Sequence, residues 1–75
     1  MKRILSNLKI GQSGVVLEIN IEDIEKKRHL LEMGLTKGTK IKVKKKAPMG
    51  GTISIEVRGY ELCISEKEAE KIIIF

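Results

Sequence analysis

One histidine, His29, and one cysteine, Cys63, are the only groups in this 75-residue chain suited to nucleophilic or proton-transfer chemistry near neutral pH. A Cys–His pair needs the two side chains in contact and a third group to orient the base. These two lie far apart in sequence and on different expected elements. His29 follows Lys26-Lys27-Arg28 on the wet side of a helical pattern, which reads as a solvated surface histidine. Cys63 stands between Leu62 and Ile64 in a strand pattern, where a free cysteine ordinarily serves as a small packing residue. No catalytic residue is assigned, and the chain is expected not to be an enzyme.

Metal ligation and phosphate binding lack their motifs as well. There is no Cys-x-x-Cys, no histidine pair at helical spacing and no Asp-x-Asp loop. Glu66, Glu68 and Glu70 alternate with bases around a short helix instead of converging. No metal site and no cofactor are expected. Gly50-Gly51 is flanked by strand patterns, whereas a phosphate cradle opens a helix. A hairpin turn is the better reading.

The remaining chemical resource is charge. Residues 1–46 carry 12 Lys/Arg against 5 Asp/Glu, and residues 47–75 carry 3 against 5, for a net charge of +5. Lys37, Lys40, Lys42, Lys44, Lys45 and Lys46 crowd one short stretch. Lys40, Lys42 and Lys44 share one face of a strand, with Ile41 and Val43 on the other. Three readings stay open for this stripe: a solvated face that discourages edge-to-edge strand pairing, a contact for an anionic protein, or a nucleic-acid surface. The last is weakened by having only two aromatics, Tyr60 and Phe75, since single-strand binders stack bases on aromatic rings.

These residues sit on a framework of short period-two runs punctuated by glycine. Val15, Leu17 and Ile19 alternate with Val16, Glu18 and Asn20. Ile53, Ile55 and Val57 alternate with Ser54, Glu56 and Arg58, and Leu62 and Ile64 follow Tyr60. Such runs are half-buried strands. Pro48-Met49-Gly50-Gly51 and Arg58-Gly59-Tyr60 supply hairpin turns and make a three-strand meander with the lysine strand.

Residues 21–33 change to helical spacing and end at Gly34, a helix-stop glycine. On that helix Leu30 and Leu31 point about 100° apart, Ile24 aligns with Leu31 and Met33 flanks Leu30. A small helix buries only part of that width, so Leu30 either packs into the core, the favoured reading, or stays partly exposed as contact surface. Ser65-Glu66-Lys67-Glu68 is a capping box opening a short helix near 66–71. A final strand turns Ile72 and Ile74 inward and Ile73 and Phe75 outward, covering a barrel edge or meeting a second copy, so a homodimer is an open alternative.

The fold expected is mostly β: one domain over 1–75, a small barrel of five to six short strands with one real helix. The lone cysteine points to a reducing, cytoplasmic setting. The opening Met1-Lys2-Arg3-Ile4-Leu5 is positive and then apolar, but Ser6 and Asn7 end it too soon for a signal peptide, and nothing reaches membrane-spanning length.

Four segments in order resemble the FeoA family. They are Leu5 to Gly14, Arg28-His29-Leu30-Leu31-Glu32-Met33-Gly34-Leu35-Thr36-Lys37-Gly38-Thr39, the hairpin Ala47-Pro48-Met49-Gly50-Gly51, and Ile53 to Ile64 with Arg58-Gly59-Tyr60 in its middle. Ile10 and Thr52 stand where the family often has proline, which bears on local turn rigidity.

The resemblance implies an SH3-like β-barrel that assists FeoB, the membrane ferrous iron transporter, by docking on its cytoplasmic GTP-binding domain. It would hold the protein in the cytoplasm, at the inner membrane only through that partner. On matching positions it implies Leu30, Met33 and Met49 as contacts, with Arg58 and Tyr60 as a polar rim; nucleic acid is not the expected partner. The alternatives are a nucleic-acid-binding module using the lysine strand, and an interaction domain of the kind found in metal-dependent regulators.

Overall fold

The two ends of the chain meet in one sheet, where β1 (Arg3–Ile4) runs antiparallel to β6 (Ile72–Ile74). The computed structural model describes residues 2–75; Met1, the first residue of the positive-then-apolar opening, lies outside them. After β1 a short 3-10 helix, Leu5–Asn7, buries Leu5, and Leu8 follows it into the core. Then come β2 (Ser13–Ile19), helix α1 (Ile24–Glu32), β3 (Lys40–Lys46), β4 (Thr52–Val57), β5 (Tyr60–Ser65) and the one-turn helix α2 (Glu66–Ala69).

All pairings are antiparallel, in the order β1-β6-β2-β3-β4-β5. β2 belongs to both halves of this sheet. Ser13–Val15 pair with β3, while Val16–Ile19 pair with β6. The two halves bend about this strand until their inner faces meet. Val43, Ile55 and Leu62 from one half join Val16, Ile72 and Ile74 from the other in one apolar cluster, with Leu5, Leu8 and Ala69 plugging the ends.

The period-two reading fails in β2. It puts Val15, Leu17 and Ile19 on one face, yet Gly14, Val16 and Ile19 are the buried residues. The register shifts between Val16 and Glu18, so one extra residue, Leu17, reverses the phase of the alternation. Gly14 is buried because β6 crosses it closely: a Cβ there would lie 3.0 Å from Ile74 Cδ1 and 3.1 Å from the Phe75 carbonyl. A second bulge at Lys44 leaves both Lys44 and Lys45 exposed.

Helix α1 is shorter than its apolar spacing suggests. Asp23 caps it, its carboxylate accepting the Glu25 and Lys26 amides at 3.0 and 3.2 Å, so Ile21 and Glu22 stay in the loop. At the other end the Leu35 amide reaches the Leu30 carbonyl and the Gly34 amide the Leu31 carbonyl, both at 3.0 Å. This is a Schellman motif with Gly34 in the left-handed position at φ +95°. Its apolar contact is Leu30 with Leu35, both buried. α2 carries the expected capping box of Ser65 and Glu68 but ends at Ala69, two residues earlier than its pattern.

Candidate functional site

The α1 stop and the β4–β5 hairpin meet at one corner of the barrel. The hairpin turns through Arg58 (φ 50°) and Gly59 (φ 89°), two left-handed residues as a type I′ turn requires. Arg58 is the only non-glycine residue with positive φ among those described, a conformation that costs about 1–2 kcal/mol. Its side chain crosses to the α1–β3 loop, where Nε donates to the Gly34 carbonyl at 3.4 Å and Nη2 to Thr39 Oγ1 at 3.3 Å. Thr39 Oγ1 in turn shares a hydrogen bond with Thr36 Oγ1 at 2.9 Å. The Tyr60 hydroxyl and Arg58 Cδ both stand close to where a side chain on Gly34 would begin. The corner therefore joins two segments far apart in sequence through one arginine.

Lysines surround this corner. A shallow groove lined by Lys37, Gly38, Thr39, Lys40 and Arg58 runs into a second lined by Lys40, Ile41, Lys42, Glu56 and Arg58. Glu56 is the one acid in these walls, and Lys44 holds it in the only salt bridge among the described residues, at 3.5 Å. Lys40 and Lys42 are thus exposed and without a carboxylate partner within ion-pair distance. Their strand also changes how they are understood. β3 is interior, paired with β2 on one side and β4 on the other, so its lysines guard no sheet edge.

The residues singled out from sequence do not form one patch. Arg58, Tyr60, Lys40 and Lys42 gather near the corner, and Met33, partly buried against the core, caps the helix beside it. Met49 is almost wholly exposed, at 96%, but it tips the β3–β4 hairpin at the far end of β4. Those ends are about 20 Å apart at strand rise.

Leu30 must be corrected. It is 1% exposed, lies in the core, and offers no surface to a partner. Because α1 packs along a single line, the outward apolar residues are Leu31, at 41%, and Ile24, at 70%, which sequence reasoning did not select. Leu31 lines a groove against β2 with Leu17, Lys27 and Lys37. Counting Leu30 and Leu31 as a pair could not reveal which of them faces the barrel.

Cys63 is a second correction. It is exposed on β5 while Leu62 and Ile64 are buried, so it is not a core packing residue. His29 is exposed on α1. Among the described residues no three His, Cys, Asp or Glu side chains stand together as a metal cluster. None of the described helices is long and apolar enough to cross a membrane. What this surface can do is bind: it presents fixed positive charge, one strained and tethered arginine, and a tyrosine edge.

Residues 4–74 match the model of the FeoA domain. No curated protein sequence matches the chain. Among solved structures, the FeoA protein of Chlorobium tepidum superposes at TM-score 0.90 with 35% identity, over 96% of this chain and 68% of that one. The FeoA-like protein of Clostridium acetobutylicum gives 0.85 and 31%, over 99% and 85%. The zinc-complexed FeoA of Stenotrophomonas maltophilia, a prokaryotic SH3-domain protein, gives 0.83 and 24%, over 97% and 89%. The bent six-stranded sheet is accordingly SH3-like.

Proposed function

This chain belongs to the FeoA family, and from that premise we propose that it is a non-catalytic accessory protein of bacterial ferrous iron uptake. It docks on the cytoplasmic GTP-binding part of a FeoB-type transporter, and it is held at the inner membrane by that contact alone. The Stenotrophomonas relative is itself named as a candidate activating factor of bacterial ferrous iron transport. Such a role needs binding and no chemical step.

The observation that carries this reading is the free positive face of β3. Lys40 and Lys42 are exposed, unpaired and on an interior strand, beside a corner whose geometry is fixed by Arg58. Such a face speeds encounter with an acidic protein surface and sets its orientation. Tyr60, 39% exposed, and Leu31 supply the apolar contact that charge alone does not.

The test is titration of the full chain against the isolated GTP-binding domain at low and high salt. Lys40→Glu/Lys42→Glu should weaken binding about tenfold or more, equivalent to ~1.4 kcal/mol, and added salt should weaken the wild type in the same direction. Leu31→Ala should weaken it without changing the salt dependence. Binding indifferent to both salt and charge reversal would remove β3 from the interface. Affinity for DNA or RNA with none for that domain would favour the nucleic-acid reading instead.

A further inference from the structure

Each end of the sheet is an edge, and the two are unlike. β1 has two residues and blunts itself by being short. β5 has six, pairs with β4 in unbroken register from Tyr60 to Ser65, and contains no lysine, no proline and no bulge. These are the devices by which edge strands normally avoid pairing with another chain. The lysines that could have guarded an edge are on β3, in the interior.

The register says which groups of β5 are free. Val57 and Tyr60 flank the two-residue turn and form a hydrogen-bonded pair, so bonding to β4 falls on Tyr60, Leu62 and Ile64. Glu61, Cys63 and Ser65 then aim their N–H and C=O groups away from the sheet. The Ser65 amide is taken by Glu68 Oε1 at 2.9 Å, inside the capping box. Among the described residues, no backbone group of Glu61 or Cys63 has a partner outside the strand ladder. Two N–H and two C=O groups remain, in a run of three residues.

We propose that this edge pairs with the same edge of a second copy, antiparallel, with Leu62 on the two-fold axis. This register sets Glu61 opposite Cys63 of the other copy, twice, and uses all four free groups of each chain in four hydrogen bonds. An axis at Cys63 would oppose Glu61 to Ser65, whose amide is occupied. An axis at Glu61 would set two carboxylates face to face, which is unfavourable. The pairing continues the β2-β3-β4-β5 sheet across the dimer and leaves the positive face of β3 uncovered. It sets Tyr60 opposite Ile64 of the other copy, so of the residues assigned to transporter docking it involves Tyr60 and leaves Lys40 and Lys42 free.

With so few hydrogen bonds the dimer is weak and concentration-dependent. Each chain carries +5, so salt that screens this repulsion strengthens the dimer, the opposite of its expected effect on the β3 contact. The two Cys63 thiols lie on a diagonal, with backbones about 7–8 Å apart, beyond the reach of a direct disulfide but within that of a short bismaleimide.

The experiment is sedimentation equilibrium of the full chain over a wide concentration range at two salt levels, with bismaleimide crosslinking alongside. Wild type should dimerise more at high salt and crosslink through Cys63. Glu61→Pro keeps the thiol but removes an outward amide, a change edge strands tolerate, and should abolish both. Cys63→Glu, which sets like charges directly opposite one another twice, should abolish dimerisation with an unchanged far-UV spectrum. A monomer at every concentration, or a dimer untouched by Cys63→Glu and Glu61→Pro, would overturn the proposal.

Discussion

Replacing Gly34 by alanine tests the corner that joins α1 to the β4–β5 hairpin. Gly34 has φ +95°, where an L side chain is strained by about 1–2 kcal/mol. The added Cβ would stand 3.1 Å from Arg58 Cδ, 3.1 Å from the Tyr60 hydroxyl and 3.3 Å from Arg58 Nε. The arginine stem is flexible and can retreat. In doing so it loosens hydrogen bonds to the Gly34 carbonyl and Thr39 Oγ1, both already long and each contributing about 0.5 kcal/mol. The expected loss is ~2–3 kcal/mol.

For a domain this small that corresponds to a fall in Tm of roughly 10–20 °C, at about 4–8 °C per kcal/mol. Thermal and urea unfolding followed by far-UV circular dichroism measures it. A cycle with Arg58→Gly separates the two contributions. In that background the arginine is gone and the Tyr60 hydroxyl remains, so Gly34→Ala should cost its backbone strain and the Tyr60 contact alone, leaving a coupling of about 1 kcal/mol with Arg58. A Gly34→Ala loss under about 0.5 kcal/mol would show that the Schellman geometry is not fixed at Gly34. An equal loss in both backgrounds would remove the crowding argument.

The neighbouring leucines of α1 should behave oppositely. Leu30→Ala opens a cavity in the core and should cost about 2–5 kcal/mol. Leu31→Ala should stay within about 0.5 kcal/mol of wild type by the same melts, and equal losses would mean the helix is rotated. At α2, Ser65→Ala removes the oxygen that accepts the Glu68 amide at 3.0 Å and should cost about 1 kcal/mol. Adding Glu68→Ala should cost less than the sum of the two single changes, because each carries one half of the same capping box. Strict additivity in chemical denaturation would show that the halves act separately.

Much of this architecture was legible because its signals are local. The turn glycines, the capping box at Ser65, the stop at Gly34 and the inward Ile72 and Ile74 each depend on residues within a few positions of one another. Arg58 and Tyr60 could be selected as surface residues. That the Arg58 side chain reaches across to Gly34 could not, since nothing near it in sequence requires that partner. Leu30 and Leu31 show the limit of helical spacing, which counts apolar residues around an axis but not how wide a stripe the barrel covers. Cys63 is the opposite case: alternation with the buried Leu62 and Ile64 already assigns it to the wet face, and its residue type alone suggested packing.

By itself the sequence determined a small, mostly β domain with one working helix, a glycine-punctuated meander and a concentrated positive stretch. Only the tertiary structure decided that the positive stretch lies inside the sheet and that β5, without lysines, lies at its edge. It also decided that a bulge at Leu17 turns Val16 into the core, and that one arginine fastens the helix stop to a distant hairpin. The physical reason is range. Turn geometry and alternation act between near neighbours along the chain, whereas strand order, bulge position and side-chain burial are set by pairings between residues that only folding brings together.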